Sequence, residues 1–171
     1  MNTIKRRAAI KDELQNQKLI SANQLARKYG VSRQTVVGDI ALLRAQGEPI
    51  ISTVNGYKYQ EESTSYHGVV VCQHTFEQTR EELENIISLG GEVVDVLIEH
   101  SVYGQIVGTL GLANQSDIND FMSRVKNENH KLLASLTNGI HLHNISCKDE
   151  AAFNKIQQRL DELGFLYHDK T

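Results

Sequence analysis

Apolar positions in the first sixty residues recur mostly at helical spacing and then switch to alternation. Ala9, Ile10 and Leu14 lie on one stripe and predict a helix over 5–16. Ser21 precedes ANQLARKY with Gln24 three residues on, a capping-box pattern, and Gly30 ends that helix. Ser32 caps the next segment, RQTVVGDIALLRAQ, where Val36, Ile40 and Leu43 repeat at helical spacing before Gly47. IISTVNGYKYQ then alternates around Asn55-Gly56, a two-residue hairpin signal. Helix, short turn, helix and hairpin in this order predict a winged helix-turn-helix.

Beyond residue 66 the pattern changes. GVVVCQ at 68–73 is a strand candidate ending at His74. Thr75 and Gln78 form a capping box for a helix to about Leu89, stopped by Gly90-Gly91. Strands are predicted over 92–99 and 105–112, a helix from Ser116 or Asp117, a strand over 139–146, and a final helix over 150–163 ended by Gly164. The order β-α-β-β-α-β-α predicts an α+β layer, one antiparallel or mixed sheet covered by helices.

Charge separates the same two halves. Residues 1–62 carry ten Lys/Arg against six Asp/Glu, and residues 63–171 carry eight against fifteen. A basic first half suits a polyanion; an acidic second half does not. The polar stretch 61–65 is the expected boundary, giving domains over 1–62 and 66–171. The composition, 40% hydrophobic and 23% charged, excludes disordered and fibrous classes. No apolar run suits a membrane helix, and MNTIKRRAAIKDEL lacks the apolar core of a secretion signal. Two cysteines make no disulfide framework, so a cytoplasmic setting is expected.

The second helix of a helix-turn-helix enters the major groove by its N-terminal residues, here Arg33, Gln34 and Thr35. Arginine reads guanine and glutamine reads adenine, each bidentately. Lys28, Arg44 and Lys58 suit phosphates, which position the protein rather than specify sequence. The same helical pair can instead serve as a packing or dimerisation module. Capped spacing and basic excess together favour double-stranded DNA.

His141 and His143 carry the second half's chemistry. Residues i and i+2 of a strand share a face, so both imidazoles project together, with Ile140 and Leu142 expected to project oppositely into the core. Such a pair is half of a metal site or a solvated strand face. His74 is a third imidazole at a strand-to-helix junction. Phe76, Leu83, Ile86 and Ile87 define the buried stripe of the following helix, with Glu82 on its flank and Glu81 toward solvent. Three histidines and a glutamate suit Zn, Ni, Fe or Mn. Cys72 shares strand parity with His74, and Cys147 with His143; both could approach a metal, but the favoured reading is buried structural thiols. His67, His130 and His168 are read as solvated.

LARKYGVSRQTVVGDIALLRAQG resembles the N-terminal motif of small bacterial regulators, including biotin repressors. VCQHTFEQTREELENIISLGGEVVDVLIEHSVYGQI and SLTNGIHLHNI resemble the three-histidine (3H) domain. Together the chain resembles the niacin-responsive transcription repressors of bacteria, the NiaR family. The resemblance implies an HPr-like second domain and a homodimer. It implies repression of genes of NAD biosynthesis and niacin uptake, with nicotinic acid as co-repressor. It implies a metal, Ni or Zn foremost, held by His74, Glu82, His141 and His143. Two positions depart from the family: Gly38, where a larger, often charged residue is expected, and Ser101, where proline is usual. Glycine inside a helix costs about 1 kcal/mol relative to alanine.

His100, before Val102-Tyr103-Gly104, either hydrogen-bonds a nicotinate carboxylate or orients its own loop; Tyr103 and Arg80 are the other ligand candidates. A metalloregulator, in which the metal alone is the signal, is the alternative function. A hydrolase would consume Glu82 as a ligand and leave no obvious base. A biotin ligase lacks its glycine-rich loop, and likeness to a phosphocarrier fold does not fix function, so no enzyme is expected.

Overall fold

The computed structural model describes residues 2–17, 19–60, 65–129 and 131–169. The chain divides into two compact units, Met1–Glu62 and Ser63–Thr171. The expected boundary at 61–65 and the expectation for His130 lie almost wholly outside the described residues.

The first unit holds α1 (Thr3–Asn16), α2 (Ala22–Tyr29), α3 (Arg33–Ala45), β1 (Ile50–Thr53) and β2 (Gly56–Tyr59). Helix α1 starts two residues earlier than expected because the Asn2 side chain accepts the Ile4 and Lys5 amides. The capping box at Ser21 and Gln24 forms in both directions, and Gly30 closes α2 in the left-handed region. Ser32 caps α3 through the Thr35 amide. Ile10, Leu14, Leu25, Val36, Ile40 and Leu43 pack with Ile50 and Tyr57 as one core.

The hairpin turn falls one residue earlier than the Asn55-Gly56 reading. Thr53 pairs with Gly56, leaving Val54 and Asn55 in the turn. Gly56 serves a different need. Ile20 and Tyr57 exchange backbone hydrogen bonds at 3.0 and 2.8 Å, pressing residue 20 onto the hairpin. A Cβ at Gly56 would lie 2.5 Å from the Ile20 carbonyl oxygen, so only glycine admits this third strand segment.

The second unit runs β3 (Tyr66–Gln73), α4 (Thr79–Ser88), β4 (Glu92–His100), β5 (Gly104–Leu112), α5 (Gln115–Asn127), β6 (Ile140–Cys147) and α6 (Glu150–Glu162). This is the expected order. The strands form one antiparallel sheet, β3-β6-β4-β5. Val93, Leu112, Ile145, Leu83, Ile86, Ile118, Ile156, Leu160 and Phe165 are buried between the sheet and its helices. Helix α5 begins at Gln115 because Asn114, not Ser116 or Asp117, caps it. The box at Thr75 and Gln78 opens a short 3-10 turn, Phe76–Gln78, which runs into α4. A second 3-10 turn, Leu133–Thr137, was not expected and matters for the site.

Candidate metal and ligand site

The β6 histidines sit on the covered face, reversing the expectation for that strand. His141 and His143 are each 3% exposed, while Ile140 and Leu142 are half-buried on the other face. Glu82 is likewise not on the flank of its helix. The buried face of α4 is Thr79, Glu82, Leu83 and Ile86, with the carboxylate inside it; Phe76 and Ile87 are only half-buried. Helical periodicity puts a charge at the edge of an apolar stripe by default. Here the neighbouring strand offers imidazoles instead of hydrocarbon, so the carboxylate is drawn in.

Three imidazoles converge on that carboxylate. His74 Nε2 lies 2.7 Å, His141 Nε2 3.2 Å and His143 Nε2 3.4 Å from Glu82 oxygens. Each ring is oriented through its other nitrogen. Nδ1–H donates to the Thr75 carbonyl from His74 at 2.8 Å, to the Gly139 carbonyl from His141 at 2.8 Å, and to the Asp95 carbonyl from His143 at 2.6 Å. A carbonyl only accepts, so each Nδ1 keeps its proton. In the neutral ring Nε2 is then a lone pair, aimed at a carboxylate that also only accepts. The cluster is balanced by added positive charge: protons on the rings, or one cation among the four side chains. Backbone-fixed imidazoles and a buried carboxylate are side chains of the kind that can hold a transition metal.

The carboxylate and the imidazoles shift one another's acidity. Burial alone pushes Glu82 up, but His143 above all, with His141 and His74, holds it well below the usual carboxylate range. Burial alone pushes His74 and His143 down, and Glu82 more than offsets it, so both are raised. Cys72 Sγ, a Glu82 oxygen and a His141 ring nitrogen lie within 4.8 Å of one another, a group able to hold a metal ion. Burial above all, with the nearby Glu82 charge, raises the Cys72 thiol strongly. Cys147 lies apart, its Sγ hydrogen-bonded to the Asp149 carbonyl at 3.4 Å.

The cluster forms one wall of a cavity partly open to solvent. Leu83, Val96, Leu110, Phe121 and Leu133 make its apolar walls, with Thr79 as a polar contact. The cavity depends on the unexpected 3-10 turn, which supplies Leu133 and Ala134. That turn is seated by Asn138 and Gly139, both at positive φ. A Cβ at Gly139 would lie 2.9 Å from the His74 carbonyl oxygen, so glycine lets this turn press against His74. Asp95, Thr79 and Gly139 were missed in the sequence; the Asn138-Gly139 dipeptide was the available signal for a turn there.

His100, Tyr103 and Arg80 do not line this cavity. His100 Nδ1 accepts the Val102 and Tyr103 amides at 3.2 and 3.3 Å, and its ring stacks on Tyr103 at 5.2 Å. That is the loop-orienting role of the two left open. Arg80 donates to Asn119 at 2.8 Å and pairs with Glu84. His67 and His168 are exposed, and His168 pairs with Asp161 at 2.8 Å.

In the first unit Arg33 and Gln34 are exposed in the opening turn of α3, and Thr35 beside them is half-buried. Arg44 is committed elsewhere: it donates to the Ile50 carbonyl at 2.7 Å and to Ser52, tying α3 to the hairpin. Lys28 pairs with Glu13 and remains largely exposed, and Lys58 on β2 is half-buried.

These features define a two-part regulator: a helix-turn-helix with an exposed reading turn, and a separate unit with a buried donor cluster at a cavity. Residues 6–58 match an HTH domain family and residues 67–169 the 3H domain family. The chain is 36% identical over 154 residues to the transcription repressor NadR of Bacillus subtilis (strain 168), covering 88% of this chain and 86% of that protein. It is 35% identical over 150 residues to the probable transcription repressor NiaR of Thermotoga maritima, with the same coverage of each. The chain belongs to this NadR/NiaR family of 3H-domain transcription repressors. Among the described residues no helix is long and apolar enough to cross a membrane.

Proposed function

We propose that this repressor controls genes of NAD biosynthesis or niacin uptake and takes nicotinic acid as co-repressor at a metal-containing second unit. The carrying observation is the buried Glu82 ringed by three backbone-fixed imidazoles on the wall of an apolar cavity. A divalent transition metal, Ni or Zn foremost, held by His74, Glu82, His141 and His143 would supply a Lewis-acidic partner for a pyridine nitrogen or carboxylate. Val96, Leu110, Phe121 and Leu133 suit a flat ring, and Thr79 can donate a hydrogen bond to its polar edge. Arg33, Gln34 and Thr35 read base edges, while Lys28 and Lys58 meet phosphates. The protein acts in the cytoplasm as a homodimer on paired half-sites. Ligand strengthens repression by binding the DNA-competent form more tightly than the others.

Fluorescence anisotropy on DNA from upstream of the protein's own gene tests this, at one fixed salt concentration because phosphate contacts make affinity salt-dependent. Nicotinic acid should tighten binding and nicotinamide should not; a chelator should abolish the effect. His141→Ala should lose the response while the helix-turn-helix stays folded. Undiminished response in that variant sinks the reading. The donor cluster also favours a metalloregulator, and tightening by metal alone, with nicotinic acid inert, would establish that reading instead.

A further inference from the structure

We propose that Cys72 is a further metal ligand, a thiolate that steers the site toward thiophilic ions such as Zn and against Mn or Mg. The inference rests on the reading of the histidine–glutamate cluster as a metal site. Cys72 on β3 stands directly opposite His141 on β6. Opposed residues of an antiparallel pair project to the same face. Cys72 Sγ, the Glu82 carboxylate and a His141 nitrogen accordingly gather within 4.8 Å of one another. The residue is fully buried. Its strand is gripped on both sides, by β6 and by the chain after α6, where Gln73 N–H donates to Phe165 and Tyr167 N–H to Val71. The backbone that carries the sulfur is therefore held on both sides.

A buried cysteine usually serves as a small apolar filler. This one has a carboxylate, to which its S–H can donate a hydrogen bond, and an imidazole for neighbours, which are metal-donor groups rather than hydrocarbon. It does not line the cavity. A sulfur–metal bond therefore leaves the cavity-facing side of the centre to a ligand. Coordination exchanges the S–H bond for a sulfur–metal bond, and the thiol proton leaves to solvent. Thiolate beside imidazole favours Zn over Mn or Mg, which prefer oxygen donors.

The test is titration of the metal-free full chain with Co(II), read in the visible for ligand-field bands and in the near ultraviolet for thiolate-to-cobalt charge transfer. The chain has two cysteines, so Cys147→Ser leaves Cys72 as the sole thiol. Wild type and Cys147→Ser should both show the charge-transfer band. Cys72→Ser should lose it, keep the visible bands, and show a smaller ratio of Mn to Zn dissociation constants. If Cys72→Ser does not fold, the band in Cys147→Ser still decides. Visible bands without charge transfer in wild type would overturn the role of Cys72 and leave the metal site standing. Charge transfer lost in Cys147→Ser would assign the thiolate to Cys147 and overturn the proposal. No cobalt spectrum at all would overturn both readings.

Discussion

Among the described residues each unit buries one carboxylate, and the two are balanced in opposite ways. Asp39 in α3, 3% exposed, receives Arg6 Nε at 2.6 Å and Nη2 at 3.2 Å. Arg7 lies 3.7 Å away. The guanidinium is a permanent cation, so this pair is complete within the chain. Glu82, 1% exposed, meets imidazoles whose charge depends on conditions. Burial costs both carboxylates alike. One has its cation built in and serves as a structural tie between α1 and α3. The other is balanced only by protons or an added cation, which is what the proposed metal site rests on.

The sharpest way to break this comparison is metal loading. Zn or Ni at a thousandfold excess over Kd should stabilise the second unit by about 4 kcal/mol, the linkage value for one site. Chelation should remove that gain, and Glu82→Gln should never show it, as read by thermal unfolding. Asp39→Ala should instead lower the melting point of the first unit and leave metal affinity unchanged. Pairing it as Arg6→Met with Asp39→Leu should recover much of the loss, because a complete ion pair can be replaced by apolar side chains. An Asp39→Ala effect on metal affinity would show that the units are not independent.

Acidity sharpens the comparison further. Without metal, the lowered Glu82 contributes stability that is present above about pH 4.5 and lost as pH falls through its folded value. The raised His74 and His143 contribute stability that is full below about pH 6.5 and lost as pH rises through their folded values. The metal-free second unit should therefore weaken as pH climbs above neutrality. With metal the trend should reverse, since coordination requires unprotonated rings. Parallel melting curves across pH 6–9 with and without chelator check the crossing. The smallest effect is expected at Gly38, exposed on α3 with open space where a Cβ would go. Gly38→Ala should stabilise the first unit by about 1 kcal/mol, measured by urea unfolding.

Local chemistry made most of the fold legible. Ser21 with Gln24 and Ser32 with Thr35 cap their helices through contacts three residues apart, which any reader of the chain can see. Shifts came where a neighbour in space chose between local options. Ile20 packs on Gly56 and moves the turn to Val54 and Asn55; Asn114 outcompetes Ser116 at the start of α5. The two histidines of β6 could be paired from strand periodicity, but not assigned to the buried face. Period-2 alternation sorts residues into two faces and names neither.

The sequence by itself determined the order of elements, the division of charge between the halves, and the pairing of His141 with His143, because these follow from spacing along one chain. Only the tertiary structure decided that Glu82 faces inward, that His100, Tyr103 and Arg80 do not line the cavity, and that Cys72 stands beside His141. Those are contacts between segments far apart in sequence. Their energies depend on which polar groups lose water together, and that is settled only when the sheet and its helices close.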